Sequence, residues 1–427
     1  MGIRFKFSKY DWSQKKDYLT DEACQRHLNS FLKMINSPKH GFFEINKDSN
    51  LLEKVNETYQ KFKHKKNFIH VGIGGSSLGT ETLVNSLGKP FLKDQIFFIN
   101  NIDPDEIKEI LDKVDLKESL FFIVSKSGGT AETIASFCLI LNHFKKNGFI
   151  EKDFYQSTVI ATDPDKGQLR SLADSYKIET LPIPENIGGR FCVFTPVGLF
   201  PSLFAGIDIK KVLEGAEKIK NQLREKDLKK NILIKAASFL YFLKSKKNIN
   251  QTVLMPYSSK LKILSPWFVQ LWAESLGKKD SSDGKEIYEG LTPIGAYGAT
   301  DQHSQMQLFM DGPKDKCIIF IEVCNFKNDF KLENKEEGST FSKLKNSTVK
   351  ELLKAELEGS LKAFEEKGRP YFLITIDELN EENMGSLLIF FQSLTVLMGS
   401  FLNINPFDQP GVELAKKYSI DFLEKNS

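Results

Sequence analysis

Between Asn67 and Ile183 the chain repeats one unit: a short apolar, β-rich run, a small polar turn, then a stretch with helical spacing. The runs are Asn67–Ile73, Gln95–Asn100, Leu120–Val124, Ser157–Ala161 and Thr180–Ile183. Apolar runs without alternation belong to strands buried on both faces, and strands separated by helices pair in parallel through crossovers. This pattern confines the region to an open, doubly wound parallel sheet with helices on both sides. A second alternating block follows, with helical stretches 209–223 and 231–244, strand 251–256, helix 264–276, strand 317–323, helix 348–367 and strand 371–376. The expected fold class is therefore α/β, with two doubly wound parallel-sheet units (αβα sandwiches) at 66–206 and 207–405. A helical N-terminal extension, 1–65, and a C-terminal helical arm, 406–427, carrying Lys416, flank them. Residues 325–346, rich in Lys, Glu and Asn, read as an exposed excursion.

Charge excludes some partners. With 59 Lys plus Arg against 56 Asp plus Glu, a formal net charge of +3 argues for neither nucleic acid nor a membrane surface. The densest basic run, Lys61 to Lys66, reads as a solvated helix face. Five cysteines, Cys24, Cys138, Cys192, Cys317 and Cys324, lack a C-x-x-C pair or a histidine at metal spacing. Reduced thiols, no metal site and a cytoplasmic location are the expectation. The start, Met-Gly-Ile-Arg-Phe-Lys, has no apolar core of a signal peptide. Leu387 to Leu402 is strongly apolar, but Gln392, Ser393, Thr395, Gly399 and Ser400 interrupt it. It falls short of the ~20 clean residues of a membrane span and reads as a buried helix.

The chemistry gathers in five turns. Leu120 to Val124 ends in Ser125-Lys-Ser-Gly-Gly-Thr-Ala-Glu-Thr133, leading into the helical stretch 131–143. The first amides of a helix lack intrahelical partners and sit at the positive end of its dipole, so hydroxyls of Ser125, Ser127 and Thr130 beside them make a place for a dianion. The same residues would equally serve to cap an ordinary βα turn. Lys126 precedes the glycines and the spacing of a triphosphate loop is missing, which points to a phosphate monoester and so to a sugar phosphate. The turn Gly74-Gly75-Ser76, after the first strand, suits a second edge of the same anion site. A dinucleotide fingerprint fails there, since Ser77 stands where glycine is required.

Gly188-Gly189-Arg190 sets a guanidinium behind two small residues, for planar oxygen recognition or as a plain surface arginine. Gln270 and Glu274 share one face of an aromatic-rich helix at i and i+4, where a carboxylate is a candidate base, with a helix-end pair to Lys278 as the alternative. His303 lies in the polar turn Thr300-Asp-Gln-His-Ser-Gln, where a surface or capping role is the default. Glu413 and Lys416 open the last helix after a Pro-Gly turn and could be no more than a solvated i,i+3 pair.

Six blocks stand together in order: Gly72-Ile-Gly-Gly-Ser-Ser-Leu-Gly79, Ser125–Thr133, Gly188-Gly-Arg-Phe, Gln270-Leu-Trp-Ala-Glu-Ser-Leu-Gly-Lys278, Asp301-Gln-His-Ser and Gln409-Pro-Gly-Val-Glu-Leu-Ala-Lys416. In these the chain resembles the glucose-6-phosphate isomerase family, in its compact bacterial form, over most of its length. The resemblance implies two sugar-isomerase (SIS) domains, a cytoplasmic homodimer, and reversible conversion of glucose 6-phosphate to fructose 6-phosphate with no metal or organic cofactor. It matches Ser76, Ser125, Ser127 and Thr130 to a phosphate seat, with Gly75 and Lys126 in the same loops. Glu274 is matched to the base moving a proton between C2 and C1, and Arg190 to the group stabilising the cis-enediolate. His303 and Lys416 are matched to ring opening, the histidine loop coming from the neighbouring subunit, and Gln270 to a substrate contact near the base. The chain departs from the family pattern at Ser127-Gly128-Gly129, Cys192, Pro410 and Ala415. An isomerase acting also on mannose 6-phosphate and a phosphosugar-binding regulator without chemistry are the competing readings.

Overall fold

The computed structural model describes residues 3–8, 20–45, 48–333 and 338–426. Parts of the expected N-terminal extension (9–19, 46–47) and of the excursion (334–337) lie outside them. Five parallel strands build the first sheet, in the spatial order Ile96–Ile99, Asn67–Val71, Ser119–Val124, Thr158–Thr162, Glu179–Pro182. Each expected run supplies one strand. Order reverses between Asn67–Val71 and Ser119–Val124, so their crossovers leave in opposite directions and a crevice opens where the two following loops diverge.

Ser119–Val124 is buried throughout, and its side chains divide by period 2. Leu120, Phe122 and Val124 face the large core shared with the second sheet, while Phe121 and Ile123 pack outward with Phe137, Ile140 and Phe144 of the helix Ala131–Lys146. A strand so enclosed leaves its backbone no direction to slip, which fixes where its C-terminal loop emerges.

The second sheet runs Arg4–Phe7, Tyr371–Glu378, Lys316–Asn325, Gln251–Pro256, Thr292–Gly295, with four strands parallel and Arg4–Phe7 antiparallel to Tyr371–Glu378. Two of these differ from the reading of the sequence. Residues 4–7 are a strand, not part of a helical extension, because Ile3, Phe5 and Phe7 alternate with Arg4 and Lys6 and place every apolar side chain on one face. Thr292–Gly295 is a four-residue edge strand whose Pro293 and Gly295 hide its signal; a proline is tolerated there because one side of the strand has no ladder to complete. The basic run 61–66 is exposed at Lys61, Lys63, His64 and Lys66 as read, though the helix ends at Phe62 and Lys65 is half-buried, donating to Ser157 Oγ at 3.2 Å.

Within the core that residues of both sheets share lies the helix Glu381–Phe401. Among the described residues it is the one helix long and apolar enough to cross a membrane, yet 94% of its apolar window is buried within the protein, as the interrupting polar residues suggest. It packs against helices Ile209–Leu223, Ile232–Lys247, Leu264–Leu276 and Asp21–Ile35. Contact with Ile209–Leu223 is backbone to backbone. A Cβ on Gly385 would lie 1.9 Å from the Val212 carbonyl oxygen, and one on Gly215 the same distance from that of Glu382. Ser386 Oγ donates to the Gly215 carbonyl at 2.6 Å across the same seam.

The crossing sets a prediction. Alanine at position 385 gains about 1 kcal/mol of helix propensity but forces the two helices apart, an overpacking cost of about 1–3 kcal/mol or more. Urea unfolding of Gly385→Ala is expected to show a net loss of stability; equal or higher stability would contradict the close crossing.

Candidate active site

Both loops at the crevice are shaped by backbone requirements. In the loop after Ser119–Val124, Gly128 has φ +66°, which a side chain would strain, and its carbonyl accepts from the Leu169 amide at 3.0 Å. Ser125 Oγ lies 2.8 Å from Thr130 Oγ1 and 3.5 Å from Ser127 Oγ, so the three hydroxyls form one cluster. Thr130 is the N-cap of Ala131–Lys146 but its side chain makes no capping hydrogen bond. The first amides of that helix therefore stand beside the hydroxyls without a cap from Thr130, a donor set suited to an anion. Lys126 turns away from this cluster: its ammonium donates to the Glu185 carbonyl at 2.7 Å, and burial lowers its pKa, opposed chiefly by Asp163.

The second loop, Gly74–Ser76, sits against the turn at Gly188–Arg190. A Cβ on Gly75 would fall 2.4 Å from the Gly189 carbonyl carbon and 2.6 Å from the Arg190 nitrogen, so only glycine allows the two backbones to touch. One on Gly74 would meet Gln270 Nε2 at 2.9 Å. Through these contacts the first sheet's loop reaches the helix Leu264–Leu276, on which Gln270 and Glu274 face the crevice while Trp267, Phe268, Leu271 and Trp272 enter the core.

Arg190 is the centre of the cluster, its side chain 1% exposed. Nε donates to Ser275 Oγ at 2.7 Å, and Nη1 to Gln409 Oε1 at 2.9 Å and Glu274 Oε1 at 3.2 Å. Nη2 donates to the carbonyls of Pro406 at 2.7 Å and Asp408 at 3.1 Å. Burial pulls the guanidinium's pKa down and Glu274 and Asp408 push it back, but an arginine so partnered stays charged. Glu274 is 26% exposed, and its other oxygen accepts from Gln270 Nε2 at 3.1 Å. Lys278 does not pair with the Glu274 carboxylate: it donates to the Glu274 backbone carbonyl at 2.7 Å and lies 3.7 Å from Asp408. The carboxylate is thus oriented on both oxygens while an edge remains open to the crevice.

Arg190, Gln270, Glu274 and Gly75 therefore meet at one place, and Ser125, Ser127 and Thr130 at the mouth of the neighbouring strand. His303 and Lys416 do not join them within one chain. His303 ends the short 3-10 helix Thr300–His303 and is exposed, its loop anchored by Gln302 to Tyr257 and Ser360 and by Asp301 to the Tyr297 amide. Lys416 is 65% exposed and forms the i,i+3 pair with Glu413 at 2.9 Å, on a terminal helix whose residues are mostly exposed. The sequence reading missed Ser275 and Gln409, each inside a block already singled out, and Cys192, whose thiol donates to the Gly75 carbonyl at 3.0 Å. It also missed His70, which lies within an apolar strand and carries no local signal.

His70 is wholly buried, and its Nε2 lies 2.6 Å from the Ser76 carbonyl oxygen. A carbonyl only accepts, so Nε2 carries the hydrogen and Nδ1 does not. Burial lowers the pKa to about 4, partly offset by the Ser76 bond.

Two doubly wound sheets, a hydroxyl loop at a strand-order reversal and a carboxylate held by a buried guanidinium define the class: an α/β protein with a polar site suited to an anionic ligand at the strand ends. The profile of one family, described as Phosphoglucose isomerase, matches residues 46–426. A glucose-6-phosphate isomerase of Rubrobacter xylanophilus is 38% identical over 387 residues, 88% of this chain and 87% of that protein. One from Carboxydothermus hydrogenoformans is 36% identical over 379 residues, 86% of this chain and 80% of that protein. The crystal structure of a glucose-6-phosphate isomerase from Chlamydia trachomatis shares the fold, with TM-score 0.84 at 21% identity over 99% of this chain and 88% of that one. The chain belongs to the phosphoglucose isomerase family.

Acid should loosen the crevice through His70. The unfolded histidine takes up a proton near 6.5 and the folded one only near 4, so stability present above pH 6.5 is lost as the pH falls across that window. The shift corresponds to a loss on the order of 3 kcal/mol by pH 4. Chemical denaturation at a series of pH values should show a steeper loss across this window for the natural protein than for a folded His70→Gln variant; identical slopes would refute the assignment.

Proposed function

We infer that the chain interconverts glucose 6-phosphate and fructose 6-phosphate, the reaction its family and its relatives' names support. In that reaction a proton passes from C2 to C1 and another from O2 to O1. The observation that carries the assignment of roles is the Glu274 carboxylate: partly open, fixed on both oxygens and 3.2 Å from a buried cation. One carboxylate on one face of the sugar can take the C2 proton and return it to C1. Charge that develops on O1 and O2 in the enediolate lies beside Arg190, which cannot surrender a proton to it. Gln270 orients the base and contacts the sugar. Ser76, Ser125, Ser127 and Thr130, with the first amides of Ala131–Lys146, hold the phosphate and so place the reacting carbons; Gly75 lets the loops close.

The reading extends to the groups that stand apart in a single chain. His303 moves a proton between O1 and the ring oxygen as the pyranose opens, and reaches Glu274 from a second copy; Lys416 assists after the terminal arm packs over the crevice. The active form is then a cytoplasmic homodimer that needs no cofactor, with 66–206 and 207–405 as its two SIS-type units.

Two outcomes are expected. Glu274→Gln keeps the side chain's shape and one acceptor oxygen but cannot accept the proton, so turnover of glucose 6-phosphate should fall about 10³-fold with KM changed little. Proton NMR in deuterated water reads both the turnover and C2 labelling, and near-normal turnover would remove Glu274 from the role. Inactive Glu274→Gln and His303→Ala subunits, unfolded together and refolded, should regain about a quarter of natural activity, since half the dimers carry one complete site. No recovery would place His303 in its own subunit's site or outside the chemistry.

A further inference from the structure

The two carbonyls of the Gly75–Ser76 turn are each held by a buried side chain that takes no part in the chemistry above. His70 Nε2–H donates to Ser76 at 2.6 Å from beneath, and the Cys192 thiol donates to Gly75 at 3.0 Å from the Arg190 turn. Both residues are buried. His70 sits in a setting where a hydrocarbon would be cheaper: its ring centroid is 5.4 Å from those of Phe98 and Phe122, and its Nδ1 is buried without a hydrogen-bond partner. Burying an unpaired ring nitrogen costs stability that phenylalanine or leucine would not forfeit, so the single bond to Ser76 is what the histidine contributes.

That bond acts on the anion site. A Cβ built on Gly72 would lie 2.9 Å from the Ser76 carbonyl oxygen and 3.2 Å from the Val124 Cβ, which places the turn across the strand ends directly beside the residue preceding Ser125. With the Ser76 carbonyl pinned downward and that of Gly75 pinned sideways, the rotation of the turn is fixed. The Ser76 hydroxyl is half-buried and without a protein partner among the described residues, on a turn that the position of Gly72 sets beside Val124, the residue before the Ser125–Thr130 loop.

We propose that His70 and Cys192 are positioning residues of the phosphate seat, clamping the Ser76 and Gly75 carbonyls so that the second loop presents one fixed edge to the phosphate of the substrate. The inference rests on the reading of the crevice as a sugar-phosphate site. A loosened edge weakens binding of the phosphate more than it slows proton transfer at the remote carbons.

The test compares the natural enzyme with His70→Phe, which keeps an aromatic ring but removes the donor, and His70→Gln, whose amide restores one at similar reach. KM and kcat for glucose 6-phosphate are measured together with thermal protection by inorganic phosphate, which needs no turnover. His70→Phe should raise KM and the phosphate concentration for half-protection about tenfold while kcat falls less than threefold, and His70→Gln should recover most of both. Natural KM and protection in His70→Phe would overturn the proposal, as would a loss confined to kcat and thermal stability, or no rescue by glutamine. Should His70→Phe fail to fold, Cys192→Ala against Cys192→Ser decides in the same way: a rise in both quantities for alanine alone supports the clamp, and equal values for the two defeat it. A natural enzyme that is protected by phosphate but does not turn over glucose 6-phosphate would sink the functional reading while leaving the clamp to be judged on protection alone.

Discussion

The buried Arg190 guanidinium is the interaction on which the crevice depends. All of its hydrogen bonds go to different parts of the chain: Glu274 and the serine after it on Leu264–Leu276, and Gln409 with two carbonyls on the segment 406–409. A charge taken so far from water is tolerable only when nearly every donor is matched, and only the planar fork of arginine can match this many acceptors at once. The requirement works in both directions. Partners hold the cation, and the cation fixes the carboxylate and the approach to the terminal arm.

Glycines do for the backbone what Arg190 does for the side chains. Gly75 lets the loop of the first sheet touch the Arg190 turn, and Gly385 and Gly215 let the central helix cross its neighbour at contact distance. The hydroxyl loop and the Arg190–Glu274 cluster thus belong to different sequence regions but to one packed frame. For the proposed reaction such a frame matters, because a proton shuttle between adjacent carbons tolerates little error in where the sugar is held.

Much of the frame was legible in the sequence because buried parallel strands announce themselves as continuous apolar runs, and all five of the first sheet did so. The strand at residues 4–7 and the edge strand Thr292–Gly295 were not, being too short for local preference to outweigh a polar neighbourhood. Among site residues, Glu274 and Gln270 were visible through i,i+4 spacing and Arg190 through its glycines. Whether Glu274 paired with Lys278 or with Arg190 was not visible, since both are equally plausible along the chain and only packing turns Lys278 to a backbone carbonyl. His70 left no trace at all, because a histidine inside an apolar strand looks the same whether or not a carbonyl waits above it.

Sequence by itself determined the parallel-sheet class, the loops whose donors suit an anion and the kinds of groups available for chemistry, since each follows from local periodicity, turn residues and side-chain type. Tertiary structure alone decided which of those groups meet. Arg190 with Glu274 and Gln409, and Gly75 with Cys192, are separated by 84 to 219 positions and come together only because both sheets share one core with a buried helix. It also left His303 and Lys416 exposed within the single chain. The physical reason is that spacing encodes neighbours along an element, whereas contacts across elements are set by the burial of apolar faces, which no single segment specifies.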